Sequence, residues 1–361
     1  MTDAPSLADH LRMHIRATGP VSVATYMGLC MTHPREGYYK AARPLGSAGD
    51  FITAPEISQM FGELIGFFLV NIWQQMREPK SFTLLELGPG RGTLMQDALR
   101  VAARAEGFLD ACHLQLFETH PDLRAEQQAR LAEHNPYWAP EFDAVSDDPL
   151  LVVANEFFDA LPIRQFVKGD NGWHERLIGL ADESFVFGLS PTPVPESALP
   201  AQVHGARPGE VYEVNLAAAD VMQRLGGLVA RQGGAILAID YGYAATRTGE
   251  TLQAVRRHGF VDPLDAPGTA DLSAHVDFGA LALAARTAGL VPHKLTPQGE
   301  FLRRLGIFER ADRLVQANPG QAETIRSGLT RLTDSTQMGD LFKAFVAASP
   351  GLVPPGIIPA A

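Results

Sequence analysis

Short apolar runs alternate with amphipathic stretches through most of the chain. Strands are predicted at residues 84–87, 113–118, 150–154, 235–240 and 341–346. The run at residues 150–154 is uninterrupted, as is typical of a central strand covered on both faces. Segments with helical periodicity separate the predicted strands. Because strands alternate with helices, the pattern predicts an α/β fold with a doubly wound, mostly parallel, Rossmann-like sheet.

Helical patterns also dominate the first part of the chain. Leu7, Leu11 and Ile15 fall on one helix face, and a long apolar helix is predicted from about Pro55 to Met76. Its longest apolar stretch is shorter than the roughly 20 residues that a membrane span needs.

The predicted domain organisation follows from these patterns. We expect an N-terminal helical region with a lid loop over residues 1–80, followed by a main domain over residues 81–361. Stretches of low periodicity predict insertions in the main domain near residues 168–210 and 244–275.

A glycine-rich turn follows the first of the apolar runs. Glu86 lies near the end of the run, and Gly88, Gly90 and Gly92 alternate before a helix begins near Thr93. Glycine adopts positive φ and lets the backbone approach a ligand, while the next helix presents free N–H groups. The spacing lacks the third glycine of a dinucleotide fingerprint and the lysine of a P-loop. It is typical of the loop by which methyltransferases contact S-adenosyl-L-methionine (SAM). The alternatives for this loop are another nucleotide site and a purely structural turn.

An acid ends the second predicted strand. Glu118 is followed by Thr119 and by a helix from about Asp122. Ligands of open α/β sheets bind outside the carboxyl ends of strands, so we expect Glu118 to accept hydrogen bonds from the ribose hydroxyls and Thr119 to contact the cofactor. The alternative is that Glu118 only stabilises the amino terminus of the next helix.

Two carboxylates follow the central predicted strand. They are Glu156 and Asp159, preceded by Asn155, which we expect to contact the cofactor. A guanidinium is planar and permanently charged, and carboxylates match it in charge and geometry. We predict that both acids orient an arginine side chain for attack. The alternatives are that Glu156 caps a helix and that Asp159 pairs with a surface arginine such as Arg164.

Further groups near predicted strand ends are candidates for the substrate site. Phe157 and Phe158 suit a substrate wall or the core equally well. Asp240 and Tyr241 follow another buried strand, where an acid can also cap a turn. His275 is a third candidate, although such a histidine more often has a structural role.

A glycine-flanked loop precedes the long N-terminal helix. We predict that residues 49–53 fold over the cofactor as a lid that excludes water. Asp50 is expected to face the reaction centre, and Thr53 to contact the cofactor. The alternative is a purely structural loop.

Composition restricts the possible partners. The 361 residues carry a net charge of −11, which argues against nucleic acid as the main partner. The two cysteines, Cys30 and Cys112, provide neither a disulfide framework nor a paired metal-ligand spacing. The first residues lack the pattern of a targeting signal, so we expect a cytoplasmic location. The pattern gives no oligomeric state.

Several blocks together resemble the MidA-like family of SAM-dependent methyltransferases, found in bacteria and mitochondria. The blocks are residues 49–59, 86–93, 155–162, 240–242 and 270–278. The resemblance implies a seven-stranded methyltransferase core with an N-terminal helical addition over the cofactor. It also implies a role like that of the mitochondrial members, which assist assembly of respiratory complex I by dimethylating an arginine on its quinone-site core subunit.

The main prediction is therefore a protein arginine methyltransferase. Two alternatives stay open. A small-molecule O- or N-methyltransferase would have a closed pocket instead of an open cleft. A SAM-binding assembly factor would hold a partner and transfer nothing.

Overall fold

The computed structural model describes residues 6–41 and 53–359, without the side chains of residues 40 and 41. The α-helices are, in chain order, Leu7–Thr18 (α1), Val23–Thr32 (α2), Tyr38–Ala41 (α3), Ala54–Ile57 (α4), Gln59–Gln75 (α5), Thr93–Ala102 (α6), Phe108–Ala111 (α7), Pro121–Leu131 (α8), Leu216–Gln232 (α9), Phe278–Thr287 (α10), Gln298–Arg304 (α11), Ile307–Ala317 (α12), Ala322–Thr333 (α13) and Met338–Leu341 (α14).

The strands are, in chain order, Val21–Ser22 (β1), Phe82–Leu87 (β2), Cys112–Phe117 (β3), Tyr137–Trp138 (β4), Leu150–Asn155 (β5), Arg164–Gly169 (β6), Gly172–Ala181 (β7), Ser184–Leu189 (β8), Val211–Val214 (β9), Gly234–Tyr243 (β10), Gln253–Arg256 (β11), Gly259–Val261 (β12), Asp271–Ser273 (β13), Val276–Asp277 (β14), Val291–Pro292 (β15), Thr296–Pro297 (β16) and Phe342–Ala348 (β17). Short 3₁₀ helices lie at Ala132–His134, Glu196–Ala198, Ala201–Val203 and Pro319–Gln321.

Two compact units make up the chain. Unit 1 combines Met1–Phe51, Asp159–Ala219 and Tyr243–Ala280. Unit 2 combines Ile52–Phe158, Asp220–Gly242 and Leu281–Ala361. The two sequence segments that lack clear periodicity therefore belong to unit 1.

A mixed sheet lies at the centre of unit 2. Its strands follow the order β15-β17-β10-β5-β2-β3-β4. Parallel pairing joins the strands from β10 to β4, whereas β17 runs antiparallel to β10. This arrangement confirms the predicted α/β fold class with a mostly parallel sheet. The carboxyl ends of β2, β3, β5 and β10 meet at one edge, where such sheets bind ligands.

The strands of unit 2 are apolar because helices cover them. Every residue of β2 is buried, and so are the first five residues of β5. Core residues include Phe61, Phe82, Leu151, Leu237 and Val346. Each such side chain contributes about 1.5–3 kcal/mol through burial. The core therefore fixes the strand ends that carry the candidate site residues.

The predicted long helix is in fact two helices. Ser58 separates α4 from α5 with extended backbone angles, φ −161° and ψ 135°. Its Oγ accepts a hydrogen bond from the N–H of Met60 at 3.2 Å, which caps the start of α5. The apolar face predicted for the first helix is confirmed, since Leu7, Leu11 and Ile15 of α1 are buried.

Unit 1 contains two further sheets, in the orders β1-β7-β6-β9, with β8 paired to β7, and β12-β11-β13. Its cores include Tyr26, Ile178 and Leu272 in one cluster and Trp173 and Tyr212 in another. Over the described residues, no helix has the length and apolar character of a membrane span.

Candidate functional site

The glycine loop adopts the backbone conformation that its sequence predicts. The φ angles of Gly88, Gly90 and Gly92 are 61°, 54° and 78°, all in the left-handed region that disfavours a Cβ. The N–H of Gly88 donates to the carbonyl oxygen of Phe117 at 3.0 Å, which ties the loop to β3. Gly92 is the N-cap of α6. The loop thus presents backbone and a helix amino terminus at the ligand edge of the sheet.

Two buried oxygens near this edge lack hydrogen-bond partners among the residues that the structure describes. They are Oε2 of Glu86, on β2, and Oδ1 of Asn155, at the end of the neighbouring β5. Burial raises the pKa of Glu86 to about 8. Buried polar atoms are normally satisfied, and an exception beside a loop of this kind fits a site whose remaining partners come from a ligand or bound water.

Glu118 lies directly beyond the end of β3. Its Oε1 accepts a hydrogen bond from the N–H of His120 at 2.7 Å. Burial raises the pKa of Glu118, while hydrogen bonds from the backbones of His120 and Thr119 act in the opposite direction. His120 in turn caps α8, because its Nδ1 accepts from the N–H of Asp122 at 3.1 Å. The ribose role of Glu118 and the cofactor role of Thr119 stay predictions.

Gln127 is a buried polar residue that the sequence patterns did not select. Its Nε2 donates to the carbonyl oxygen of Gly90 at 2.6 Å, and its Oε1 accepts from the indole N–H of Trp138 at 2.7 Å. Gln127 and Leu131 are the buried residues of α8. A glutamine one turn before a buried leucine was the available signal, because this spacing places both on one helix face.

Glu156 combines a strained backbone with a structured side chain. Its φ of 51° is positive, a conformation that costs a non-glycine residue about 1–3 kcal/mol and that clusters at functional sites. Oε1 accepts from the N–H of Ala54 and from Nδ2 of Asn155, both at 3.1 Å. The first contact lies at the amino terminus of α4, so the helix-capping alternative has geometric support. A guanidinium role stays a prediction.

Aromatic and acidic residues pack and form hydrogen bonds around the ends of β5 and β10, close to Glu156 in sequence or across the sheet. Phe157 lies against the glycine loop, since a Cβ on Gly88 would lie 3.2 Å from its Cδ2. The N–H of Phe158 donates to Oδ2 of buried Asp240 at 3.0 Å, and Oδ1 of Asp240 accepts from the N–H of Tyr241 at 3.0 Å. Asp240 therefore holds backbone in place. Substrate contacts by these four residues stay predictions.

Asp159 and His275 belong to unit 1. The carbonyl oxygen of Asp159 accepts from the N–H of Ala274 at 3.0 Å. Burial lowers the pKa of His275. The partner considered for Asp159 is otherwise engaged, because Nε of Arg164 donates to Oε1 of Glu175 at 2.7 Å. The catalytic role of Asp159 and the substrate role of His275 stay predictions.

The predicted lid falls mostly outside the described residues, and with it Asp50. The described chain resumes at Thr53, which precedes α4. From α4, Oε1 of Glu56 accepts a hydrogen bond from the hydroxyl of Thr93 at 2.5 Å. Since Thr93 is the first residue of α6, α4 is fixed to the glycine loop. The cofactor role of Thr53 stays a prediction.

Metal ligands are not grouped in this part of the molecule. In residues 6–41 and 53–359, no three His, Cys, Asp or Glu side chains are arranged to hold a metal ion. The polar groups near the glycine loop are backbone N–H groups, side-chain carboxylates and side-chain amides, which suit an organic ligand.

Comparison with known proteins identifies the ligand class. The model of a family of S-adenosyl-L-methionine-dependent methyltransferases matches residues 64–296. "Protein arginine methyltransferase NDUFAF7 homolog, mitochondrial" from Drosophila melanogaster is 39% identical over 96% of this chain and 86% of its own length. "Protein arginine methyltransferase NDUFAF7, mitochondrial" from Homo sapiens is 34% identical, with 93% and 82% covered.

A solved structure has the same fold. The crystal structure of a Burkholderia thailandensis protein bound to S-adenosyl-homocysteine matches with a TM-score of 0.84 and 28% identity, over 98% of this chain and 93% of that one. The bound molecule is what remains of SAM after methyl transfer.

Proposed function

This chain belongs to the matched family of S-adenosyl-L-methionine-dependent methyltransferases, and from that premise we propose that its methyl acceptor is an arginine side chain of a protein. The relatives' names support this acceptor. The observation that carries the proposal is the position of Glu156. This residue carries a carboxylate, has a strained backbone and follows a central strand, and the next residue, Phe157, lies against the glycine loop.

The proposed chemistry needs positioning more than strong acid or base catalysis. SAM supplies an electrophilic methyl group on a sulfonium. In the proposal the glycine loop and Glu118 hold the cofactor, and Glu156 binds the acceptor guanidinium so that one nitrogen faces the methyl group. Holding two reactants in line can supply about 7–11 kcal/mol of the barrier. The charge of Glu156 matches that of the guanidinium.

A respiratory partner is the finer part of the proposal. The resemblance described above supports the quinone-site core subunit of complex I as the protein substrate, modified during assembly. A cytoplasmic location also stays a proposal. A small-molecule acceptor and an assembly factor without transfer are the competing outcomes.

Replacement of Glu156 by glutamine tests the proposal. Glu156→Gln keeps an oxygen that can accept from Ala54 and removes only the charge, so SAM affinity should persist. Methylation of the protein acceptor should slow about a hundredfold, which corresponds to about 3 kcal/mol of lost transition-state stabilisation. Single-turnover transfer from labelled SAM measures the rate.

The matched control is Glu106→Gln, which makes the same change at an exposed site. It should methylate at the wild-type rate. Transfer by Glu156→Gln at the wild-type rate would remove Glu156 from the mechanism. Label found only in small molecules would favour the small-molecule acceptor, and no transfer by the wild type would favour the assembly factor.

A further inference from the structure

Gln127 connects the two parts of the molecule that are predicted to hold the cofactor. Its side-chain Nε2 lies 2.6 Å from the carbonyl oxygen of Gly90 and 3.5 Å from Oε2 of Glu118. The residue is fully buried. A buried amide has two donor hydrogens to satisfy, and here both have an acceptor in the site.

Trp138 determines which way the amide of Gln127 faces. An indole N–H can only donate, so the atom 2.7 Å from it must be the amide oxygen of Gln127. The NH₂ group then faces Gly90 and Glu118. Since Trp138 lies on β4 at the edge of the sheet, the orientation is fixed by an element outside the glycine loop.

The bond to Gly90 also orients the peptide that follows. In a planar trans peptide the C=O and the next N–H point in opposite directions. With the Gly90 carbonyl held by Gln127 in α8, the N–H of Arg91 must point away from α8.

Glu118 is held from two sides by the same segment of chain. Its Oε1 receives the N–H of His120, and its Oε2 faces Gln127. A change at Gln127 would therefore alter the glycine loop and the carboxylate together.

We propose that Gln127 is a positioning residue for cofactor binding: it keeps the Gly90 carbonyl and the Glu118 carboxylate in one arrangement, so that the contacts to the two halves of SAM form together. Gln127 acts through these groups and does not touch the cofactor. The proposal rests on the cofactor roles of the loop and of Glu118. It does not depend on which acceptor is methylated.

Binding of S-adenosyl-homocysteine, measured by calorimetry on the full chain, tests the proposal. Gln127→Met keeps the length of the side chain and removes both donors, so Kd should rise at least tenfold. Gln127→Glu should bind more weakly still at neutral pH, because its carboxylate would face that of Glu118. Lowering the pH should restore part of the affinity of Gln127→Glu, since a protonated carboxyl can donate again.

Gln128 provides the matched controls, because it is the next residue of α8 and is exposed. Gln128→Met and Gln128→Glu should bind like wild type.

A double-mutant cycle with Glu118→Gln separates a positioning role of Gln127 from a general structural role. If Gln127 acts through Glu118, the combined loss is smaller than the product of the two single losses.

Two results would overturn the proposal, since each describes a purely structural glutamine. The first is wild-type Kd in a folded Gln127→Met variant, whether or not its Tm is lowered. The second is independent losses of affinity in the double-mutant cycle. Should Gln127→Met fail to fold, Trp138→Phe gives the decision. It frees the amide to rotate and should weaken binding severalfold, and wild-type Kd there would also exclude the role.

Discussion

Gly88 is constrained both by its backbone conformation and by the side chain that packs against it. Its φ is 61°, and a Cβ would lie 3.2 Å from Cδ2 of Phe157. The first feature makes any side chain strained, and the second forces Phe157 to move. A single methyl group at this position should therefore disturb the loop and the motif that contains Glu156.

Gly88→Ala should raise the Kd for SAM at least tenfold, because the loop must either flatten or displace Phe157. Gly233→Ala is the control: its φ is also positive, 87°, but nothing lies within 4 Å of a Cβ there. Both variants should lose about 1–3 kcal/mol of stability through backbone strain, and only Gly88→Ala should lose affinity. Equal affinities in calorimetry would place the cofactor away from this loop.

Glu86 should make the unfolding free energy of the ligand-free protein depend on pH. Its folded pKa, about 8, lies above the ordinary value of 4.5. Because its pKa is raised in the folded state, the contribution of the Glu86 carboxyl to the unfolding free energy is fully present below pH 4.5 and is lost as the pH rises towards 8. The slope attributable to this group is at most about 1.4 kcal/mol per pH unit.

Glu86→Gln has no proton to lose and should show a flatter profile in this window. Urea unfolding at several pH values measures both proteins. Parallel profiles for wild type and variant would mean that Glu86 ionises freely in the folded protein.

Single residues show where sequence patterns suffice and where they do not. The glycines could be predicted because their positive φ values are built into the residue type. The positive φ of Glu156 could not, since nothing in a glutamate signals strain. Gln127 was missed because its partners, Gly90 and Trp138, lie on other elements, which only the folded structure brings next to α8.

At the scale of elements, Glu63 of α5 joins α6, the helix that follows the glycine loop, to α12. It lies on α5 and is buried, and its Oε1 accepts from Arg100 of α6 at 2.8 Å. Its Oε2 accepts from Arg310 of α12 at 2.6 Å. Burial raises the pKa of Glu63, but the two arginines outweigh it and the net shift is downward.

Glu63→Gln should lower the unfolding free energy by about 2–3 kcal/mol at neutral pH, because it leaves two arginines without their buried partner. Glu141→Gln, which breaks the contact of an acid that is 72% exposed, should cost at most about 0.5 kcal/mol of unfolding free energy.

The effect of Glu63 on stability should depend on pH. Since the folded pKa of Glu63 is depressed, its contribution to the unfolding free energy is present above the unfolded pKa and is lost as the pH falls through the folded pKa. The gap between wild type and Glu63→Gln should therefore narrow in acid, and a constant gap would contradict the ionic contribution.

Elements of unit 2 were easier to predict than those of unit 1. The predicted strands match β2, β3, β5, β10 and β17. β2, β5 and β10 are buried along most of their length and leave a nearly continuous apolar signal, whereas buried and part-exposed residues are mixed along β3. The break at Ser58 was missed because both helices around it are apolar. The sheet of β6 to β9 was missed because its strands are partly exposed, as in β8, and their polar residues weaken the alternation.

At the scale of the molecule, the short motif at residues 155–162 crosses the boundary in sequence between unit 2 and unit 1. Unit 2 ends this segment at Phe158, and unit 1 resumes at Asp159. The motif therefore could not be assigned to one domain from its sequence. The strand that leads into it, by contrast, was predictable from its apolar pattern, and so was the edge of the sheet where the site lies.

The most direct test of the account is the chemical identity of the methylated product. Purified protein is incubated with methyl-labelled SAM and a cell extract, and the labelled material is digested and analysed by mass spectrometry. We expect label in protein, on arginine, for wild type and for Glu106→Gln, with about a hundredfold less for Glu156→Gln. Label on another residue type, or only in small molecules, would contradict the central claim.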